Sequence, residues 1–183
     1  MSKQTYVPIL LKLFRQFGYE GVTLAKISQA TGLGKASLYH HFPGGKAEMA
    51  AAALTEVNRW LETTLLPILS SSATPVDTFE LMCAEIDRFF DTGKNSCLWA
   101  VLILEQSSDE LFGAQIKWAF SQWIEAISTV LIAAGLDETL AKARGEDAII
   151  AIQGALILAY GLKDVAPFQR ALKQLPAQLC RDF

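Results

Sequence analysis

Apolar side chains recur at intervals of three and four along most of this chain, and the alternation expected of half-buried strands is absent. Val7, Leu10, Leu11 and Phe14 trace one face of a first helix that stops at Gly18, with Pro8 tolerable only if the helix begins near Thr5. Thr23 is placed to cap a second helix whose inner face is Leu24, Ile27 and Ala30. Gly32 breaks it, and Leu38 and Phe42 form the apolar side of a third. After Pro43–Gly44–Gly45, a long helix starting at Lys46 carries Met49, Ala53, Val57, Trp60, Leu61 and Leu65 toward Pro67. The remaining periodic stretches predict helices over 75–92, 97–106 and 108–134. A short segment capped by Asp137, an apolar helix over 143–162 and a closing helix over 165–179 complete the pattern. The expected fold is all-α, about nine helices without an internal repeat.

Composition sharpens this. Of the 183 residues, 51% are hydrophobic and 19% charged, a globular balance. The net charge of −3 is unevenly spread: residues 1–50 carry +4 and residues 51–183 carry −7. A basic head at 1–50 on an acidic body at 51–183 points to a nucleic-acid partner for the head. Cys83, Cys97 and Cys180 are odd in number and lack CxxC spacing, which fits a reducing cytoplasm. The most apolar run, Ala148–Leu162, falls short of the roughly 20 residues of a membrane span and reads as a helix buried on two sides. No membrane partner is expected. Gly-rich phosphate loops, HExxH, GxSxG and metal-spaced Cys/His sets are absent, so neither an enzyme nor a cofactor is expected. His40 and His41 are adjacent and diverge on a helix, unlike a metal pair.

The segment Thr23–Lys46 has the form of a helix-turn-helix, in which the second helix enters the major groove while the first braces it. Lys35, Ala36, Ser37, Tyr39 and His40 face outward on that second helix. Lys35, Tyr39, His40 and Lys46 suit phosphates, Thr23 offers a capped N-terminus to one, and Ser37 is the candidate for base edges. A helical protein-interaction module explains the amphipathic helices equally well, but not the basic head with its turn chemistry.

The stretch LFRQFGYEGVTLAKISQATGLGKASLYHHFPGGKAEM resembles the N-terminal signature of TetR-family transcriptional regulators. The carriers are Phe17-Gly18-Tyr19, the Thr23 cap, Ile27, Gly32, Leu38 to Phe42 and Lys46. The LYHHFPGGK ending resembles the branch that includes repressors of drug-efflux genes. Three positions depart from the pattern: Ser28 stands in place of Ala, Gly34 in place of a Ser cap, and Ala36 in place of Gly. The resemblance implies a ligand-responsive repressor of a palindromic, double-stranded operator, with a small-molecule effector and a homodimeric body. Trp60, Phe79, Met82, Phe89, Trp99, Trp118 and Trp123 are the candidate pocket residues, for an apolar or aromatic effector. Ala151, Gly154, Ala155 and Leu158, with Phe168 and Leu172 of the closing helix, are the candidate dimer contacts.

Overall fold

The structure, a computed structural model, describes residues 2–71 and 73–181. Among these residues the regular structure is entirely helical, in nine α-helices. A 3₁₀ turn at Lys3–Tyr6 leads into α1, Val7–Gly21, with Pro8 in the first turn, where a missing N–H costs nothing. Helices α2 and α3 are Leu24–Thr31 and Lys35–His41. Helix α4 starts at Gly45 and runs as an α-helix to Trp60, widens into a π-helical turn over Leu61–Leu65, and returns to α geometry over Leu66–Leu69. The sequence pattern ended this helix at Pro67, yet it passes through. Proline cannot donate to the preceding turn, and the ladder widens just ahead of it, with the Leu66 N–H reaching the Leu61 carbonyl.

Helix α5, Pro75–Phe89, is capped by Thr74, whose hydroxyl accepts the Asp77 N–H at 3.3 Å. The short α6, Leu98–Ile103, precedes α7, Gln106–Ala133. The segment capped by Asp137 and the apolar helix beyond it are one element, α8, Glu138–Leu162. Asp137 Oδ1 takes the N–H groups of Thr139 and Leu140 at 2.9 and 3.2 Å, so the helix starts well before the apolar run. It is therefore long and apolar enough, by length and composition, to cross a membrane. Within the single chain, Ile150, Ile157, Leu158, Tyr160 and Leu162 are exposed along one face of it. Helix α9, Ala166–Leu179, closes the fold.

The helices group into two compact units. One holds the chain up to Arg59 together with Leu98–Lys117; the other holds Trp60–Cys97 and the chain from Trp118 onward. The expected boundary at residue 50 lies inside α4, and the grouping instead divides that helix between Arg59 and Trp60. The first unit also takes in α6 and the start of α7, because α1 packs against α6. With Glu105, Asp109 and Glu110 included, this unit carries eight Lys/Arg against six Asp/Glu, so its basic excess is smaller than residues 1–50 suggest. Its core is Leu10, Phe14, Ile27, Leu38, Phe42, Met49, Leu54, Trp99 and Phe112.

In the second unit α9 packs on α5 and α8. Phe168 sits against Gly93, whose φ of +94° no other residue adopts easily; a Cβ there would lie 2.8 Å from the Phe168 ring.

Candidate nucleic-acid interface

The turn at residues 31–34 is closed by side chains as well as backbone. Gly32, at φ +71°, ends α2 in the left-handed region and donates its N–H to the Ser28 carbonyl at 2.9 Å. The Ser28 hydroxyl donates to the Leu33 carbonyl, and the Thr31 hydroxyl donates to the Ile27 carbonyl at 2.7 Å. Ser28, a departure from the family pattern, thus fastens the turn. That role is not readable from spacing, since serine in a helix interior is ordinarily neutral or unfavourable. Thr23 caps α2 as expected, its hydroxyl oxygen accepting the Lys26 N–H at 3.2 Å.

Helix α3 starts at Gly34 without a side-chain cap and plants one residue, Leu38, in the core. Its remaining face is open: Lys35, Ala36, Ser37, Tyr39 and His40 are exposed, as is Thr23. These residues therefore share the surface of the helix-turn-helix. His41 turns away, its ring 5.2 Å from that of Tyr6.

Lys46 is placed differently from the outward group. Its ammonium donates to the Tyr19 carbonyl at 3.0 Å and lies 4.3 Å from the centroid of the Tyr19 ring. It braces the end of α1 from the start of α4. Lys26 does similar work, donating to the Gly21 carbonyl at 3.1 Å over the Phe17 ring. Burial pushes the Tyr19 phenol above its ordinary value. Lys3 pairs with Glu48, and this bond, together with the Gly44 N–H at 2.8 Å, holds the Glu48 carboxyl below its usual range.

The candidate pocket residues divide between the units. Trp99 belongs to the first, fully buried, with its indole N–H donated to Asn58 Oδ1 at 2.8 Å. In the second, Trp60 stacks on Phe89 at 3.7 Å between centroids, meets Trp123 edge-on at 6.5 Å, and donates its N–H to Glu85 at 2.7 Å. Phe79, Met82 and Trp123 are fully buried, and Trp118 lies at the surface. A groove of about 760 Å³ in the same unit is lined by other side chains, among them Cys83, Asp87, Leu172 and Cys180.

The candidate dimer residues divide as well. Gly154 and Leu158 are on the exposed face of α8, Ala151 is half-buried, and Ala155 is buried. Phe168 and Leu172 face inward, where they hold α9 to its own unit.

A family model described as bacterial regulatory proteins of the tetR family matches residues 10–53. A second, described as the C-terminal domain of LmrA/YxaF-like transcriptional regulators, matches residues 75–174. Among curated proteins, the HTH-type transcriptional regulator LmrA of Bacillus subtilis is 25% identical, over 98% of this chain and 97% of that protein. The uncharacterized HTH-type transcriptional regulator YxaF of the same organism is 27% identical, over 96% of this chain and 93% of that protein. Among solved structures, a TetR transcriptional regulator from Legionella pneumophila superposes with a TM-score of 0.85 over 97% of both chains at 20% identity, a likeness of fold.

Proposed function

We propose, because the chain belongs to the TetR family of transcriptional regulators, that it is a cytoplasmic repressor whose operator binding is released by a small-molecule effector. The observation that carries this reading is the open face of α3. Its single buried anchor, Leu38, orients the helix, while Lys35, Ser37, Tyr39 and His40 stand free to meet a DNA groove. Lys35, Tyr39 and His40 contact phosphates, with the capped N-terminus at Thr23, and Ser37 reads a base edge beside Ala36. So few reading side chains leave much of the specificity to DNA shape and half-site spacing.

The exposed stripe on α8 supports a homodimer. Ile150, Gly154, Ile157, Leu158 and Leu162 recur at helical spacing, and an apolar strip of this kind is a self-association surface. A twofold dimer sets two reading helices about one DNA turn apart, ~34–36 Å, on a palindromic site. The effector site belongs to the second unit, where Trp60, Phe89 and Trp123 form an aromatic cluster with Glu85 as its polar member. That lining suits an apolar or aromatic ligand. By linkage, effector and operator weaken each other's binding by the same factor.

A gel shift with a duplex from upstream of its own gene, against a random duplex of equal length, tests this reading. Preferential binding by a dimer supports it. Equal binding to both duplexes, or a monomer at micromolar concentration in sedimentation, overturns it.

A further inference from the structure

We propose that Glu105 is a positioning residue for DNA reading, a carboxylate that sets the joint between α1 and α2 and with it the pose of the helix-turn-helix. This rests on the DNA-binding reading above. The joint is a real break in the backbone: Gly18 sits at φ +69°, ψ −178° inside α1. The break leaves the next two amides without the helical carbonyls they would otherwise use. Glu105 supplies the acceptor. Its Oε2 takes the Tyr19 N–H at 2.7 Å and the Glu20 N–H at 3.1 Å, charge-assisted bonds across 86 and 85 residues of chain.

The fit is close on both sides. Gly18 is required by its φ, and a Cβ built on it would overlap Glu105 Oε1, so a larger residue there displaces the carboxylate from its place. Ser107 adds a hydroxyl bond to Glu20 Oε1 at 2.8 Å, and Phe112 meets the Tyr19 ring edge-on at 5.9 Å. The Tyr19 carbonyl meanwhile accepts from Lys46. Tyr19 is thereby held from two elements distant in sequence, the α6–α7 link and the start of α4. Two residues beyond Gly21, where α1 ends, Thr23 caps α2. Rotation about the joint therefore swings α2 and α3, and Glu105, together with Lys46, opposes it.

The test uses the full chain as wild type, E105A and E105Q. Each is titrated with the upstream duplex and with the random duplex, and amide exchange is followed at Tyr19, Glu20 and α8. Loss of the two charge-assisted bonds in E105A is expected to weaken binding of the upstream duplex about tenfold. Exchange at Tyr19 and Glu20 is expected to quicken, with α8 protection unchanged. E105Q, which keeps a carbonyl oxygen to accept both amides, is expected to recover most of the affinity. E105A affinity equal to wild type, or a loss that E105Q does not recover, overturns the proposal for Glu105 alone. A wild-type protein that binds both duplexes alike removes the DNA-reading premise itself, and the proposal with it.

Discussion

The Lys46 ammonium donates to the carbonyl of Tyr19 and lies over the ring of the same residue, 3.0 Å and 4.3 Å away respectively. Both bonds of this clasp serve the fold, whereas Lys35 is exposed on α3. Their removal should therefore read out differently. K46M is expected to cost about 1–2 kcal/mol of stability in urea unfolding, from the hydrogen bond and cation–π contact together. K35A is expected to leave stability within about 0.5 kcal/mol. It should weaken DNA binding across sequences and reduce the salt slope by about one.

Gly18 and Gly32 share a left-handed φ, +69° and +71°, but not their surroundings. Nothing lies within 4 Å of a Cβ at Gly32, while one at Gly18 collides with Glu105. G32A is expected to cost about 1 kcal/mol, the conformational penalty alone. G18A is expected to cost about 2–4 kcal/mol, since the strain is joined by loss of the Glu105 bonds to the Tyr19 and Glu20 amides when the carboxylate is displaced. Adding E105A to G18A should relieve the collision, so the double variant is less destabilised than the two single costs predict, a coupling that a double-mutant cycle measures.

Trp60 spends its indole N–H on Glu85, which is itself bonded to Arg88 at 2.9 Å. W60F keeps most of the stacking on Phe89 but leaves that carboxylate one donor short. The expected loss is about 1–2 kcal/mol in denaturant unfolding. W60A forfeits the stack as well and should lose more, about 2–4 kcal/mol.

Burial, aided by Glu80, pushes the Cys83 thiol up to about 12, and burial also raises Cys180. At pH 8 both thiols should alkylate far more slowly than free cysteine, with iodoacetamide labelling becoming rapid only in denaturant. The sign for stability follows from proton uptake. Between the ordinary thiol value and about 12, the unfolded chain sheds the Cys83 proton and the native chain keeps it. Stability should therefore fall as pH rises above that ordinary value, and C83A should reduce the decline.

Ile157, 65% exposed on α8, has no structural task within its own unit. I157K should leave unfolding of the chain nearly unchanged while shifting sedimentation toward monomer, and operator affinity should fall with the lost second head.

Local chemistry made much of this fold legible. The Thr23 and Asp137 caps, the Gly32 stop and the Leu38 anchor are each decided by residues within a turn of one another, and spacing alone exposes them. What escaped depends on residues far apart in sequence. Glu105 and Trp99 read as members of the body, yet both complete the head, because only packing brings Tyr19 and Asn58 to them. Phe168 and Leu172 are expected at an interface because the resemblance implies a dimer that uses the closing helix, yet both are buried within their own chain. Periodicity marks an apolar face without saying whether its cover is the same chain or another. The outward face of α3 was legible for the opposite reason, since a seven-residue helix with one buried anchor has little choice of orientation.

The unit that carries α3 is discontinuous, with Leu98–Lys117 contributed from beyond residues 60–97. Synthesis begins at the N-terminus, so the helix-turn-helix leaves the ribosome long before the segment that completes its unit. Until Lys117 has emerged, Trp99, Leu102 and Phe112 are missing from the core of that unit. The head thus matures only after much of the second unit's first segment exists, and a fragment ending at Arg59 lacks the partners that close it. Grafting this head onto another body would require transplanting two segments, not one.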